Sequence, residues 1–151
     1  MLTRRAALGL FAATPLALAL APNAALAAKP LVFQNPLAIN GIDPVAYFTK
    51  QKPVKGDAAN RVDWNGATWH FSTAQNAAKF EANPEAYAPI FGGYCAFAAS
   101  KGYLAPTIPE AWTIYEDRLY LNANMRAMEL WRQDIPGNIK AGLANWPGIL
   151  G

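Results

Sequence analysis

The chain has 151 residues, a length typical of one domain, with 53% hydrophobic residues and a net charge of only +3. It has no cluster of lysine and arginine, which argues against a nucleic-acid partner. A single cysteine cannot form an internal disulfide, so the domain must depend on a packed core.

The first 27 residues have the pattern of an export signal. Arg4 and Arg5 form a short basic region, an apolar stretch follows, and residues 25–27 (Ala-Leu-Ala) fit the A-x-A cleavage pattern. The arginine pair also resembles a twin-arginine signal, so Sec and twin-arginine export both stay open. We therefore expect residues 1–27 to be a signal peptide. The mature protein would then be periplasmic or secreted from a bacterium, with no transmembrane span.

The mature chain is expected to begin with an extended lead-in over residues 28–40. Asp43 followed by Pro44 is typical of a helix start, because aspartate caps free N–H groups and proline fits the first helical turn. The polar stretch at 49–60 predicts a surface loop after this short helix.

A first hairpin is predicted at residues 61–71. Its Asn-Gly pair at 65–66 is the strongest two-residue turn signal for a hairpin. Because side chains alternate along a strand, Trp69 and Phe71 should point to one face and His70 to the other.

Helices and a second hairpin follow. Ser72 is expected to cap a helix, with Gln75 as its capping-box partner. Further helices are predicted from Pro84, over residues 92–100, after Asn124 and over 135–146. The second hairpin spans 111–122 with its turn at 116–117. This pattern predicts an α+β domain over residues 41–151, with a small antiparallel sheet of two hairpins packed with short helices.

An ordered set of motifs resembles the YHS domain family, and most closely its small exported bacterial subgroup. The motifs are NGIDPVAYF, WNGATWHFSTAQNAAKFEANPEAYAP, FGGYCA, LYLN and NWP, which together cover roughly residues 40–147. The name-giving region falls at residues 69–72, with Trp69 in place of tyrosine. The resemblance implies a YHS-like fold.

The resemblance also raises the question of a metal site. Many YHS domains are regarded as metal-binding, some accompany copper-handling proteins, and such members resemble DPVCGM at the helix start and FCSxxC after the strand. Here Ala46 stands where the first cysteine would be, and Ser72, Thr73 and Asn76 lie where the second pair would be. The thiolate site of the family is therefore missing, and its metal function does not carry over to these positions.

Cys95 allows three interpretations. It is a buried structural residue in the small apolar segment YCAFAA, or it binds a soft ion such as Cu(I) together with His70 and either Met125 or Met128. The third interpretation is a nucleophile with His70 as its base. Structural zinc needs four ligands, which one cysteine and one histidine do not supply. We predict that Cys95 is buried and not catalytic, and that copper binding with His70 is favoured over covalent catalysis if it has chemistry.

Four further residues are candidates for a ligand pocket. Asp43, Tyr47, Trp69 and Tyr94 combine aromatic surface with one carboxylate, as ligand sites often do. Their simpler roles are a helix cap for Asp43, which could also pair with Arg61 or Lys101, and core packing for Trp69.

These observations favour a binding module without intrinsic catalysis. The ligand is a metal ion, with copper as the leading candidate, or a small molecule. One alternative is a thiol enzyme that uses Cys95 with His70. The other is an envelope interaction module that presents an aromatic surface to a membrane or a protein.

Overall fold

The structure is a computed structural model that describes residues 27–151. The predicted signal peptide lies outside the described residues except for its last position. Within residues 27–151, no helix is both long enough and apolar enough to span a bilayer.

Short helices alternate with two antiparallel hairpins, which confirms the predicted α+β class. The helices are α1 (Pro44–Lys50), α2 (Ala74–Ala82), α3 (Pro84–Tyr87), α4 (Ala96–Ser100), α5 (Met125–Arg132) and α6 (Ile135–Asn145). The strands are β1 (Asp57–Trp64), β2 (Ala67–Phe71), β3 (Trp112–Tyr115) and β4 (Arg118–Leu121). Each hairpin forms its own two-stranded sheet.

The first hairpin turns at the predicted Asn-Gly pair, since β1 ends at residue 64 and β2 begins at residue 67. Along β2, Trp69 and Phe71 are buried while His70 is only partly buried. The predicted alternation of faces is therefore confirmed.

The first strand is longer than predicted. Residues 57–60 were expected to belong to the surface loop, but β1 begins at Asp57, which pairs with Phe71. The register shifts between Asp57 and Arg61, and this irregularity lets the strand continue through a polar, exposed segment. Residues 57–60 are mostly exposed and show no alternation of apolar and polar side chains, so this first part of the strand had no signal in the sequence.

The second hairpin has the predicted turn. Trp112 pairs with Leu121 and Ile114 pairs with Leu119, so the apolar side chains share a face. Both turn residues, 116 and 117, have positive φ angles of 48° and 58°. Leu119 and Leu121 are buried in the main core.

Trp69 lies at the centre of the main core. It is fully buried, its ring centroid lies 5.0 Å from that of Phe80 and 6.0 Å from that of Trp64, and its indole N–H donates to the Trp64 carbonyl at 3.1 Å. The same core takes Val32 and Ile39 from the lead-in. The lead-in thus packs as part of the domain, although its residues look extended in the sequence.

The cap of α2 differs from the prediction. Thr73, not Ser72, is the capping residue, and its hydroxyl accepts from the Asn76 N–H at 3.0 Å. The Ser72 hydroxyl instead donates to Asp43 at 2.7 Å. Ser72 was a wrong choice because a side chain distant in sequence takes its hydroxyl.

We expect Trp69→Ala to lower the free energy of unfolding by about 3–5 kcal/mol, the usual cost of deleting a buried aromatic side chain. Urea denaturation measures this change. Tyr103→Ala is the matched control, because Tyr103 is 55% exposed and its loss should cost no more than about 0.5 kcal/mol. An unchanged midpoint for Trp69→Ala would contradict the core role of this residue.

Candidate functional site

The carboxylate of Asp43 is fully buried at the start of α1. Its Oδ1 accepts from the backbone N–H groups of Val45 at 2.9 Å and Ala46 at 3.2 Å, as predicted for a helix cap. Its Oδ2 accepts from Ser72 N–H at 2.8 Å, Ser72 Oγ at 2.7 Å and Asn76 Nδ2 at 2.8 Å. Asp43 therefore joins α1 to the junction between β2 and α2.

Every group that faces Asp43 in this network is a hydrogen-bond donor, which suits an ionised carboxylate, an acceptor only. Within residues 27–151, no lysine or arginine forms a salt bridge with it. Arg61 instead binds Asp63 at 2.8 Å, and Lys101 lies over the ring of Phe97. The buried charge is thus balanced by dipoles and not by a cation.

The other three candidates for the ligand pocket lie at separate places. Tyr47 is buried in α1 and its hydroxyl donates to the Pro109 carbonyl at 2.8 Å. Burial, and secondarily the charge of Glu110, raises the pKa of Tyr47. Tyr94 donates to the Pro30 carbonyl at 2.9 Å, and burial raises its pKa as well. Only the fourth candidate, Trp69, lines the groove described below.

Cys95 is buried, as predicted, with 2% of its surface exposed. It caps α4, because its sulfur accepts from the Ala98 N–H at 3.4 Å, and its thiol donates to Asn122 Oδ1 at 3.4 Å. Asn122 Oδ1 also accepts from the Phe97 N–H at 3.0 Å. Cys95 and Asn122 together accept hydrogen bonds from backbone N–H groups in the first turn of this short helix.

Asn122 is a site residue that sequence reasoning missed. It is fully buried directly after β4, and its Nδ2 has no hydrogen-bond partner among the described residues. The signal was a polar residue at the end of the apolar run LYLN. Its partner Cys95 lies 27 positions away, so the contact had no local signature.

His70 lies on the partly exposed face of the first hairpin, where it pairs with Arg61 across the strands. No hydrogen bond joins it to Cys95 in the part of the chain that the structure describes. Residues 27–151 also contain no group of three or more His, Cys, Asp or Glu side chains placed to hold a metal ion. Metal binding by His70 and Cys95 stays a prediction.

A groove of about 330 Å³ opens between the first hairpin and the C-terminal part of the chain. Its wall is formed by the lead-in, the first hairpin, α3 and the segment after it, the start of β4 and the end of α6. Two of the lining residues, Glu85 and Arg118, are charged. The lining residues are Leu31, Val32, Trp64, Asn65, Trp69, Glu85, Ala88, Pro89, Ile90, Phe91, Gly92, Arg118, Leu143 and Trp146. The size falls within the range of small-molecule pockets, and the wall is mostly apolar, as such pockets usually are.

The comparisons with known proteins find one family. The family model of the YHS domain matches residues 45–90, a segment that contains Ala46, Ser72 and Asn76. Neither a curated protein nor a solved structure matches the chain. The finer likeness to a small exported bacterial subgroup stays a prediction.

We expect Asp43→Asn to lower the free energy of unfolding by at least about 2 kcal/mol, since each buried donor left unsatisfied costs about 1–3 kcal/mol. Whichever way the amide turns, its NH₂ faces either the two donors on Oδ1 or the three on Oδ2. Urea denaturation measures the loss.

The control for Asp43→Asn is Asp134→Asn. Asp134 also caps a helix, accepting from the Gly137 N–H at 3.0 Å, but it is exposed. Asparagine caps about as well as aspartate, so this variant should stay within about 0.5 kcal/mol of wild type. Equal losses in the two variants would contradict a special role for Asp43.

We expect Cys95 to react slowly with an aromatic disulfide reagent in the native protein and rapidly after unfolding in urea, because its thiol is buried and hydrogen-bonded. Absorbance of the released thiolate follows the reaction. An Ala58→Cys change in a Cys95→Ser background supplies an exposed reference thiol. Native labelling of Cys95 as fast as that reference would show an accessible, reactive cysteine.

Proposed function

Residues 45–90 form a YHS domain, and from this premise we propose that the chain is a binding module without intrinsic catalysis. Its ligand is a small, largely apolar molecule held in the groove between the first hairpin and the end of α6. The observation that carries this proposal is the groove itself, at about 330 Å³ with a mostly apolar wall. Export to the periplasm or the exterior is part of the proposal and rests on the pattern of residues 1–27.

Contacts between aromatic rings favour a preformed groove. Trp64 stands edge-on to the buried Phe80, with ring centroids 5.6 Å apart, and Phe91 stands edge-on to Trp146 at 6.0 Å. The aromatic side chains of the wall are thus held by the core. A rigid wall lowers the entropy lost on binding.

The backbone of the wall is also fixed. The Phe33 N–H donates to the Gly92 carbonyl at 2.9 Å, which holds the lead-in against the segment after α3. Gly92 has a φ angle of 63°, and a Cβ at this position would overlap the carbonyl oxygen of Leu31. Glycine therefore lets the two backbones meet where the wall turns from one segment to the other.

The groove wall carries a few polar groups among its apolar side chains. The Arg118 guanidinium donates through Nη1 to the backbone carbonyl of Glu85 at 2.8 Å, and Asn65 is exposed at the hairpin turn. A few polar groups on an apolar wall orient a ligand. The groove therefore suits a molecule with an apolar body and one polar end.

The predicted soft-metal site at Cys95 and His70 has less support. The Cys95 thiol already donates to Asn122, and its sulfur accepts from Ala98. The thiol enzyme and the envelope interaction module stay predictions that no contact among the described residues favours.

The test uses 1-anilinonaphthalene-8-sulfonate, an aromatic sulfonate whose fluorescence rises in apolar sites, with the folded protein. We expect saturable binding of one molecule per chain. Leu143→Asp should weaken it by about tenfold or more, because tenfold corresponds to only about 1.4 kcal/mol. The aspartate removes apolar contact surface from the wall, and its carboxylate repels the sulfonate of the probe.

Met125→Asp is the matched control. Met125 is 52% exposed and lies outside the groove, whereas Leu143 is 55% exposed and lines it. Binding should be unchanged in this variant. Non-saturable fluorescence, or equal binding by both variants, would refute the groove as the ligand site.

A further inference from the structure

The residues at the ligand positions of metal-binding YHS domains surround Asp43 in this chain. In the FCSxxC pattern the cysteines are the second and sixth residues, which correspond to Ser72 and Asn76 here. Both side chains donate to Asp43 Oδ2, and the backbone N–H of Ala46, at the remaining cysteine position, donates to Oδ1. Three positions that would share a metal ion thus share one carboxylate.

These residues do not fit a metal ion. Ala46 has no donor atom in its side chain, and Asn76 turns its NH₂ group, which has no lone pair to give, toward the centre of the cluster. Asp43 accepts five hydrogen bonds, while a carboxylate offers about four lone-pair sites. No lone pair of Asp43 is left for a cation, and no thiolate is present for a soft one.

The charge pattern of the cluster is the reverse of a metal site. In a metal site, anionic or lone-pair ligands surround a cation. Here N–H and O–H donors surround an anion. The bonds from Ser72 and Asn76 span 29 and 33 positions of sequence, so the anion connects distant parts of the chain as a metal ion would.

We propose that in this YHS domain the Asp43 carboxylate replaces the metal ion as the link between α1 and the β2–α2 junction, and that positions 46, 72 and 76 bind no metal. The domain then needs no metal ion at this site in order to fold. This proposal does not depend on the function of the groove.

The test measures metal in the full-length chain, purified from medium with added copper and zinc, by plasma mass spectrometry. It also compares the melting temperature with and without a chelator. Wild type, Ser72→Ala and Cys95→Ser are measured in parallel, because Cys95 is the other candidate for a soft metal. We expect the chelator to leave the wild-type melting temperature unchanged, and Ser72→Ala to carry the same metal content as wild type.

Asp43→Asn adds an independent readout. We expect a lower melting temperature that neither Cu(I) nor Zn(II) restores. If this variant does not fold, Ser72→Ala serves instead, because it removes one donor to Oδ2 and keeps the Ser72 N–H; its melting temperature should also fall without rescue by metal. A bound ion that is lost only in Cys95→Ser supports the proposal. A stoichiometric ion that is lost in Ser72→Ala but kept in Cys95→Ser overturns it. A fall in melting temperature on adding the chelator that persists in Cys95→Ser also overturns it.

Discussion

The buried carboxylate of Asp43 holds together the elements of residues 45–90, the range that the YHS family model matches. Taking an ionised group out of water costs several kcal/mol unless hydrogen bonds replace its hydration, and Asp43 meets this requirement with five donors from α1 and from the β2–α2 junction. The N–H groups of α1 are local, but the three donors from Ser72 and Asn76 reach the carboxylate only when the two parts of the chain pack together. The carboxylate therefore specifies how these parts pack. The aromatic core around Trp69 then fills the space beside this junction. The hydrogen bonds of Asp43 and the burial of apolar side chains around Trp69 thus stabilise the same elements.

Local signals in the sequence were sufficient for much of the fold. The Asn-Gly turn, the Asp-Pro helix start and the cap at Asn124 each involve neighbours within a few residues, and each is present. The prediction failed at Ser72 because its hydroxyl has two possible partners. One is a local backbone N–H from which it would accept as a cap, and the other is the Asp43 carboxylate, 29 positions away, to which it donates. Capping rules consider only the local one. The strand at Asp57 was missed for a related reason, because its pairing depends on the partner strand and not on its own polar composition.

The candidate site was harder to predict than the fold. Cys95 was recognised as a buried residue from its apolar neighbours, but its partner Asn122 comes from another element. The residues that line the groove are scattered between Leu31 and Trp146, so no regular spacing in the sequence reveals them. Leu143 shows the difficulty most clearly. In the sequence it shares a helical apolar stripe with Ile135 and Ile139, and yet it is 55% exposed. A stripe tells which side chains share a face, while only the packing tells whether that face is covered.

The contact between Gly92 and the Leu31 carbonyl limits how this groove can diversify. Any side chain at position 92 would push the lead-in away and change the wall as a whole, so this position offers no gradual adjustment of shape. The side chains of Leu31, Asn65 and Leu143 are exposed and line the groove, so changing one of them alters one patch and leaves the backbone in place. A combinatorial library intended to change ligand preference would therefore randomise positions 31, 65 and 143 and hold glycine constant at 92.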